Sequence, residues 1–450
     1  MMDKRTSEIE FHLKNLLACD AYKLSHRLMY PQDTQNLYSM LTARGVYGDF
    51  KEFVWNHDFA KEILLNVFNG FVNSVIEVKK NKLLAAALTD KLVSVFNDHE
   101  LANEFTQHIC HLASFLEKNK KMPLVAKIHE SDQSLPFRTP LITIEGVENI
   151  PSNFVWLVNY FETVLLENIW LFQTASTVAK RIKSLLEKYA KETADETSFI
   201  NFQCHDFSMR GMSSLQSALY VARAHLQYFT GSDTILGGDN SRSILASEHS
   251  VMCADGSKHE LKTFQRLLEK FKDKKLSLVI DSYDMWNVLD NIIPRLKNLI
   301  LMRDATLYLR ADSGNYQTLI CNPNYKKQDK STWAMIDYLD HHFSSTINKK
   351  GYKVLNNKIG IIYGDGITYQ KIEWILNCLK NHGYCSSNII FGVGSSTYQN
   401  LNRDTLGFVY KLTAIKKSNR WIGVKKTPIT DLSKSSKGGR YKTKRLITVY

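Results

Sequence analysis

The chain has 450 residues, 44% of them apolar and 23% charged, and a formal net charge of +13. That length predicts one large domain plus a second, and the ordinary apolar fraction excludes a disordered or fibrous chain. No apolar run reaches the ~18 residues of a membrane span. The longest candidate, Val155 to Phe172, is broken by Asn159, Glu162, Glu167 and Asn168. The opening MMDKRTSEIEF has no apolar segment followed by small residues, so no secretory signal is expected. Seven cysteines without a CxxC pair fit reduced thiols, and a cytoplasmic location is expected.

In chain order, Phe59 to Val78 and Ala85 to Leu116 show helical apolar spacing, while Leu124 to Ile128 and Pro140 to Ile144 read as strands. From about Phe199 short apolar strands alternate with amphipathic helices. The expected strands are Phe199–Gln203, Thr234–Leu236, Leu276–Ile280, Thr306–Leu309, Ile359–Tyr363 and Ile389–Phe391. Between some of them, Ser214–Phe229, His259–Lys272, Tyr283–Leu296 and Tyr369–Asn381 read as helices. Such alternation implies a parallel sheet with crossover helices, and no repeat of solenoid or propeller period is present.

Five of these strands run into polar or glycine-rich clusters: CHDFSMRG, DSYD, RADSGN, GDG and GVGSS. In a parallel barrel every strand's C-terminal end opens on one face, where active sites form. An open doubly wound sheet would gather them at one switch point instead. So many functional strand ends favour an α/β fold of the (β/α) barrel kind.

The glycines of Gly364–Asp365–Gly366 and Gly392–Ser396 let backbone N–H groups approach an anion, and they follow the last two strands, where barrels often hold phosphate. Taken singly, such clusters are more often turns. No GxxxxGK[ST] is present, so a P-loop is not expected. Arg310 and Asp312, two apart at a strand end, can both face the barrel mouth, or can form an ion pair that fixes the loop. His205, Phe207 and Arg210 suit a flat heteroaromatic ligand, although a lone Phe is commonly core. His249, beside Glu248, has several possible roles, of which a hydrogen-bonded core histidine is the commonest. No HExxH, CxxC or paired Cys/His spacing stands out, so no zinc site is expected, and without GxSxG no serine hydrolase is.

Charge is concentrated near the C-terminus. Between Lys411 and Arg445 stand twelve Lys/Arg and one acidic residue, Asp431, which leaves the rest of the chain nearly neutral. Such a segment fits a polyphosphate, an acidic partner or a nucleic acid. The low-complexity part, 433–445, also reads as a solvated tail, whereas the apolar residues within 403–425 look packed.

The ordered set ACDAYKLSH, HDFSMRG, GSDT, SEHS, LSLVIDSYD, RADSGN, GDG, FGVG, LNRDTLGFVYK and SKGGR resembles the nicotinamide phosphoribosyltransferases, type II phosphoribosyltransferases. The resemblance implies a barrel over 151–404 and a second α+β domain over 1–150 completed by 405–450. It implies synthesis of nicotinamide mononucleotide and pyrophosphate from nicotinamide and phosphoribosyl pyrophosphate with Mg²⁺, in NAD salvage. Nicotinate phosphoribosyltransferase is the alternative. By motif position, Phe207 and Tyr22 would sandwich the pyridine ring, Tyr22 coming from the neighbouring subunit of a homodimer with shared sites, and Asp20 would line that site. Asp233 would accept a bond from the carboxamide, with Ser277 close by. Arg210, Arg310 and His249 would surround the sugar and its phosphates. Asp312 and Asp365, with Gly364 beside them, would hold ribose, pyrophosphate or hydrated Mg²⁺. Gly394 and Ser395 would take the 5′-phosphate, helped by Arg403 and Lys411. ATP would be a co-substrate that phosphorylates His249.

Three departures from the family pattern stand out. Ser395 and Ser396 replace further glycines, Ala311 replaces proline, and the segment 235–247 is short. Altered phosphate affinity is expected from the first, and changed access to His249 from the last. A binding protein that has lost turnover is disfavoured, because acidic, basic and aromatic positions all persist together. Neither a membrane nor a nucleic acid is an expected partner, although the basic tail leaves nucleic acid open as an extra activity.

Overall fold

Segments far apart in the chain pair to make the first of two units in this computed structural model, which describes residues 4–45, 50–131, 133–430, 435, 438–441 and 443–450. The first unit comprises Met1–Thr174 and Asn402–Tyr450, the second Ala175–Leu401.

In the first unit, strand Asn36–Ala43 pairs antiparallel with Phe408–Lys417 on one side and Ile142–Gly146 on the other. Leu124–His129 and Leu446–Thr448 extend one edge, and Arg420–Gly423 the other, to six strands. Every residue of Asn36–Ala43 is buried. A strand covered on both faces loses its polar alternation, so NLYSMLTA gives no period-two signal. Its Asn36 is held by bonds to the backbone of Gly146 and Val147.

The expected long helix Ala85–Leu116 is two helices, Lys82–Phe96 and His99–Asn119. Asn97, at φ 53°, stops the first, and the Asp98 side chain caps the second by accepting from Leu101 N. The sequence set domain boundaries near 150 and 404, whereas the chain divides at Thr174/Ala175 and Leu401/Asn402. Residues 154–174 belong with the first unit because their aromatics pack there. Phe161 lies 4.7 Å from Phe68, and Phe172 stacks at 3.7 Å on Phe59.

The second unit is built on seven parallel strands: β1 (Cys204–Asp206), β2 (Gly231–Ser232), β3 (Leu245–Ala246), β4 (Leu276–Val279), β5 (Leu307–Ala311), β6 (Ile359–Tyr363) and β7 (Ile389–Val393). They lie in the order β2-β1-β7-β6-β5-β4-β3, a cyclic permutation of chain order. That is the order of a barrel, and the sheet curls accordingly. A single bridge between Gly231 and Arg242, just ahead of β3, touches across the remaining seam.

Two expected strands are displaced. Phe199–Gln203 is mostly a 3₁₀ turn, Ser198–Phe202, in which Ile200 is buried, with Gln203, three residues on, buried at its C-terminal cap. The strand begins at Cys204, where polar His205 and Asp206 are buried. Asp206 is satisfied there by Ser208 N, Ser232 Oγ and Thr234 Oγ1. Thr234–Leu236 lies beyond β2, and its Ile235 and Leu236 are exposed. The other four expected strands match β4 to β7 to within two residues at either end. Among the described residues no helix is long and apolar enough to cross a membrane.

Candidate active site

Strands β1, β7, β6 and β5 are neighbours in the sheet, and the loops at their C-terminal ends line one cavity of about 450 Å³. Phe207 and Arg210 follow β1, and Arg310 and Asp312 end β5. Gly364, Asp365 and Gly366 follow β6, while Gly394, Ser395 and Ser396 follow β7. Eight of the eleven second-unit residues expected at the site, Phe207, Arg210, Arg310, Asp312, Gly364, Asp365, Gly394 and Ser395, thus line this cavity, whereas Asp233, Ser277 and His249 are not among its lining residues.

Arg310 is buried, which is costly for a guanidinium without partners. Its Nη2 donates to Ser247 O at 2.9 Å and its Nε lies 3.1 Å from Asp312 Oδ1. Its Cζ stands 5.8 Å from the centre of the Phe207 ring. The ion pair left open by the sequence is therefore formed, and it lines the cavity as well. Phe207 N donates to Val393 O at 2.8 Å, which ties the loop to β7. Gly392 lies flush beneath that ring: a Cβ there would come within 2.8 Å of two ring carbons.

Asp233 follows β2. Its Oδ1 accepts from His205 Nε2 at 2.9 Å and from Ser243 Oγ at 2.5 Å. Burial works to raise its pKa, but these bonds and the Arg310 charge outweigh burial and hold the carboxyl below its ordinary value. The same His205 ring packs 4.6 Å from Phe207, so the carboxylate and the aromatic platform are fixed by one side chain.

His249 begins a short helix, His249–Cys253, with its side chain 47% exposed. Its Nε2 lies 3.4 Å from Asp281 Oδ1. The other oxygen of Asp281 accepts from Asp312 N at 3.0 Å and Ser313 Oγ at 2.5 Å. Asp281 therefore links the histidine to the Asp312 loop. Ser277, in β4, is buried with an Oγ that has no hydrogen-bond partner, and the same holds for the Oγ atoms of Ser208 and Ser282 at the ends of β1 and β4. Buried hydroxyls are seldom left unpaired.

Tyr22, Asp20, Arg403 and Lys411 belong to the first unit. Tyr22 is exposed and donates to Asp20 Oδ2 at 3.0 Å, a bond that raises the tyrosine pKa. Arg403 Nη2 pairs with Asp404 at 2.9 Å. Lys411 lines a second cavity, about 160 Å³, together with Arg44, Arg138 and Lys426, and no acidic residue is among the described lining residues. Desolvation lowers the Lys411 pKa, and the Arg44, Lys426 and Lys23 charges add to it against the pull of Glu162. Arg138 sits at φ +69°, a conformation that a side-chain-bearing residue rarely holds without a reason. Of the tail 433–445, residues 433, 434, 436, 437 and 442 lie outside the described residues.

Asp281, Lys371, Arg44, Arg138 and Lys426 are not singled out by the sequence, and His205 is grouped there with Phe207 and Arg210 but not tied to Asp233. Asp281 stands at a strand end within a quoted motif, so position alone could have drawn notice to it. Lys371, which donates to Asp365 O at 3.3 Å, stands in a helix, and Arg44, Arg138 and Lys426 stand in turns and loops, all without a motif.

A curled parallel sheet whose strand ends line one cavity with two arginines, two aspartates, several glycines and an aromatic ring has the architecture of a barrel enzyme. The chain belongs to the nicotinate phosphoribosyltransferase (NAPRTase) family, whose profile matches residues 202–449. It is 99% identical over all 450 residues, 100% of both chains, to a nicotinamide phosphoribosyltransferase of Mycoplasma genitalium. Similarity to proteins of the same name is 67% over the full length of both chains in Mycoplasma pneumoniae, and 33% over 96% of this chain and 88% of the relative in Acinetobacter baylyi. In fold it is similar to human nicotinic acid phosphoribosyltransferase, with TM-score 0.50 and 15% identity over 88% of this chain and 74% of that one. The chain is thus a transferase of pyridine nucleotide biosynthesis.

Proposed function

We propose that the chain joins nicotinamide to phosphoribosyl pyrophosphate, giving nicotinamide mononucleotide and pyrophosphate. The observation that carries the choice of nicotinamide is the Asp233 carboxylate, kept charged and fixed by His205 against the Phe207 platform. Oδ1 takes both internal bonds, so Oδ2 is the acceptor for a carboxamide N–H. A substrate carboxylate would be repelled there.

The reaction needs no protein nucleophile. The ring nitrogen forms a bond to C1 of the ribose as the C1–O bond breaks, and the bonding pair leaves with pyrophosphate. Phe207 orients the ring, Arg310 and Arg210 offset the phosphate charge, and Asp312 lies close to the sugar that becomes cationic. Amides of Gly394 and Ser395, at the start of a helical turn, suit the 5′-phosphate. Asp312 and Asp365 offer hard oxygen donors to one cavity and fit a hydrated Mg²⁺. When bound, that ion supplies positive charge against the leaving pyrophosphate.

In this reading two subunits share each site. Tyr22 and Asp20 of one chain face the Phe207 platform of the other, and the cation-lined cavity with Arg44 and Lys411 supports the same phosphates, with Arg403. ATP phosphorylates His249, which Asp281 orients; incubation with labelled ATP then leaves acid-labile phosphate on the protein, and its absence removes the coupling. The reading as a whole is tested by offering nicotinamide or nicotinate with phosphoribosyl pyrophosphate and Mg²⁺. Mononucleotide formed mainly from nicotinamide supports it. A preference for nicotinate overturns the substrate.

A further inference from the structure

Behind the cavity, the loop after β5 and the helix Tyr369–Asn381 after β6 pack together, with the Tyr316 and Trp374 rings 5.3 Å apart. Cys321 lies on that loop, Cys378 on the helix, and His382 caps the helix C-terminus. Cys321 and Cys378 are buried and His382 is half-buried. The two Sγ atoms and one ring nitrogen all lie within 4.8 Å of one another. The expectation of no zinc site rested on motifs contiguous in sequence. Here Cys378 and His382 share one helix face, four residues apart, and Cys321 joins them only through the fold.

We propose that Cys321, Cys378 and His382 bind one thiophilic cation of the zinc class. Ligand atoms at about 2.0–2.3 Å from a tetrahedral centre stand about 3.3–3.8 Å apart, and the three atoms here, within 4.8 Å of one another, reach that by shifts of about 1 Å. The sulfurs, 2.8 Å apart, would spread by about 1 Å to reach the edge of a zinc tetrahedron, a side-chain rotation. Two thiolates and a divalent cation cancel in charge, which is what a buried ionic group requires. A second observation points the same way. Asp337 is buried, its Oδ1 has no hydrogen-bond partner, and it acts electrostatically on both thiols. Its other oxygen accepts from Ala334 N, yet burial still pushes the carboxyl up to about 6, so the group gains from a nearby cation. With three protein ligands, a fourth position would be left for water or another ligand.

Binding replaces two S–H bonds by two metal–sulfur bonds and releases both protons to solvent, so affinity falls with acid. The bound cation would fix the backs of two loops that carry Asp312 and Asp365. It is distinct from the Mg²⁺ of the reaction, whose ligands are oxygens.

The test uses the full chain, reduced and stripped of metal, titrated with Co²⁺ and then Zn²⁺. One equivalent of Co²⁺ per chain with a thiolate-to-cobalt charge-transfer band, displaced by Zn²⁺, is the expected result. Cys321→Ser and Cys378→Ser remove the band, and His382→Ala weakens binding by at least ~10-fold. Should the cysteine variants misfold, alkylation of the unaltered chain serves instead: Zn²⁺ protects these two thiols in the site and leaves exposed Cys253 reactive. No charge-transfer band in the reduced chain, no protection, or binding unchanged in Cys378→Ser would overturn the proposal. So would mild oxidation that removes two hydrogens by joining the sulfurs in a chain that takes up no metal.

Discussion

His205 Nε2 stands 2.9 Å from Asp233 Oδ1 while its ring packs on Phe207, so one buried histidine positions both the acceptor and the platform of the candidate ring site. Asp233→Ala removes a charge-assisted bond worth about 1.5–3 kcal/mol, and roughly a tenfold or greater fall in the nicotinamide-to-nicotinate ratio of kcat/KM is expected. An unchanged ratio would remove the selecting role. Because the carboxyl sits below its ordinary value, Asp233 stays charged across neutral pH, and its selection is lost only as pH falls through that lowered value.

Gly211 and Ser395 make a second, sharper relationship. A Cβ on residue 211 would meet Ser395 Oγ at 1.7 Å and Ser395 Cβ at 2.9 Å. Rotating the hydroxyl away relieves only the first contact. Gly211→Ala is expected to shift the phosphate-binding turn and raise KM for phosphoribosyl pyrophosphate, at about 1–3 kcal/mol of strain. Ser395→Gly alone leaves the turn in place, and in the double variant it restores most of the loss. Additive defects in that cycle would mean that the two residues do not interact.

His225 is fully buried, with Nδ1 2.7 Å from Tyr398 Oη and Nε2 3.1 Å from Gly231 O. Desolvation lowers its pKa from 6.5 to about 4. The unfolded chain therefore takes up a proton before the folded one does. The stability this histidine supports is whole above about 6.5 and is lost as pH falls toward 4, on the order of 3 kcal/mol across that window. His225→Gln should flatten the fall of Tm with acid over that range. An unaltered slope would assign the acid sensitivity to other buried groups, such as His108, which burial also lowers to about 4.

What the sequence made legible follows from where polarity interrupts apolar runs. DSYD, RADSGN, GDG and GVGSS each follow a short apolar strand, and in the structure β4 to β7 lie there. β1 escaped because its residues, Cys204, His205 and Asp206, are themselves the polar ones. Asn36–Ala43 escaped for the opposite reason: burial on both faces erased its alternation. The cations of the first unit were illegible singly, since Arg44, Arg138 and Lys426 converge from distant segments onto one cavity.

The exposure of Tyr22, with its hydroxyl turned to Asp20, leaves its ring face available to another chain. Tyr22→Ala and Arg310→Ala each remove a part of the proposed shared site, Tyr22 from the first unit and Arg310 from the second. If one subunit supplies Tyr22 and its partner supplies Arg310, a mixed dimer of the two variants carries one site with both residues intact and one with neither. Each variant alone should be nearly inactive, because Arg310 offsets phosphate charge and Tyr22 closes the ring sandwich. After subunit exchange, half of the dimers are mixed when the variants are equal and pairing is random, and each has one of two sites intact. Activity should therefore return to about a quarter of the unaltered level, while a site built within a single chain gives no recovery.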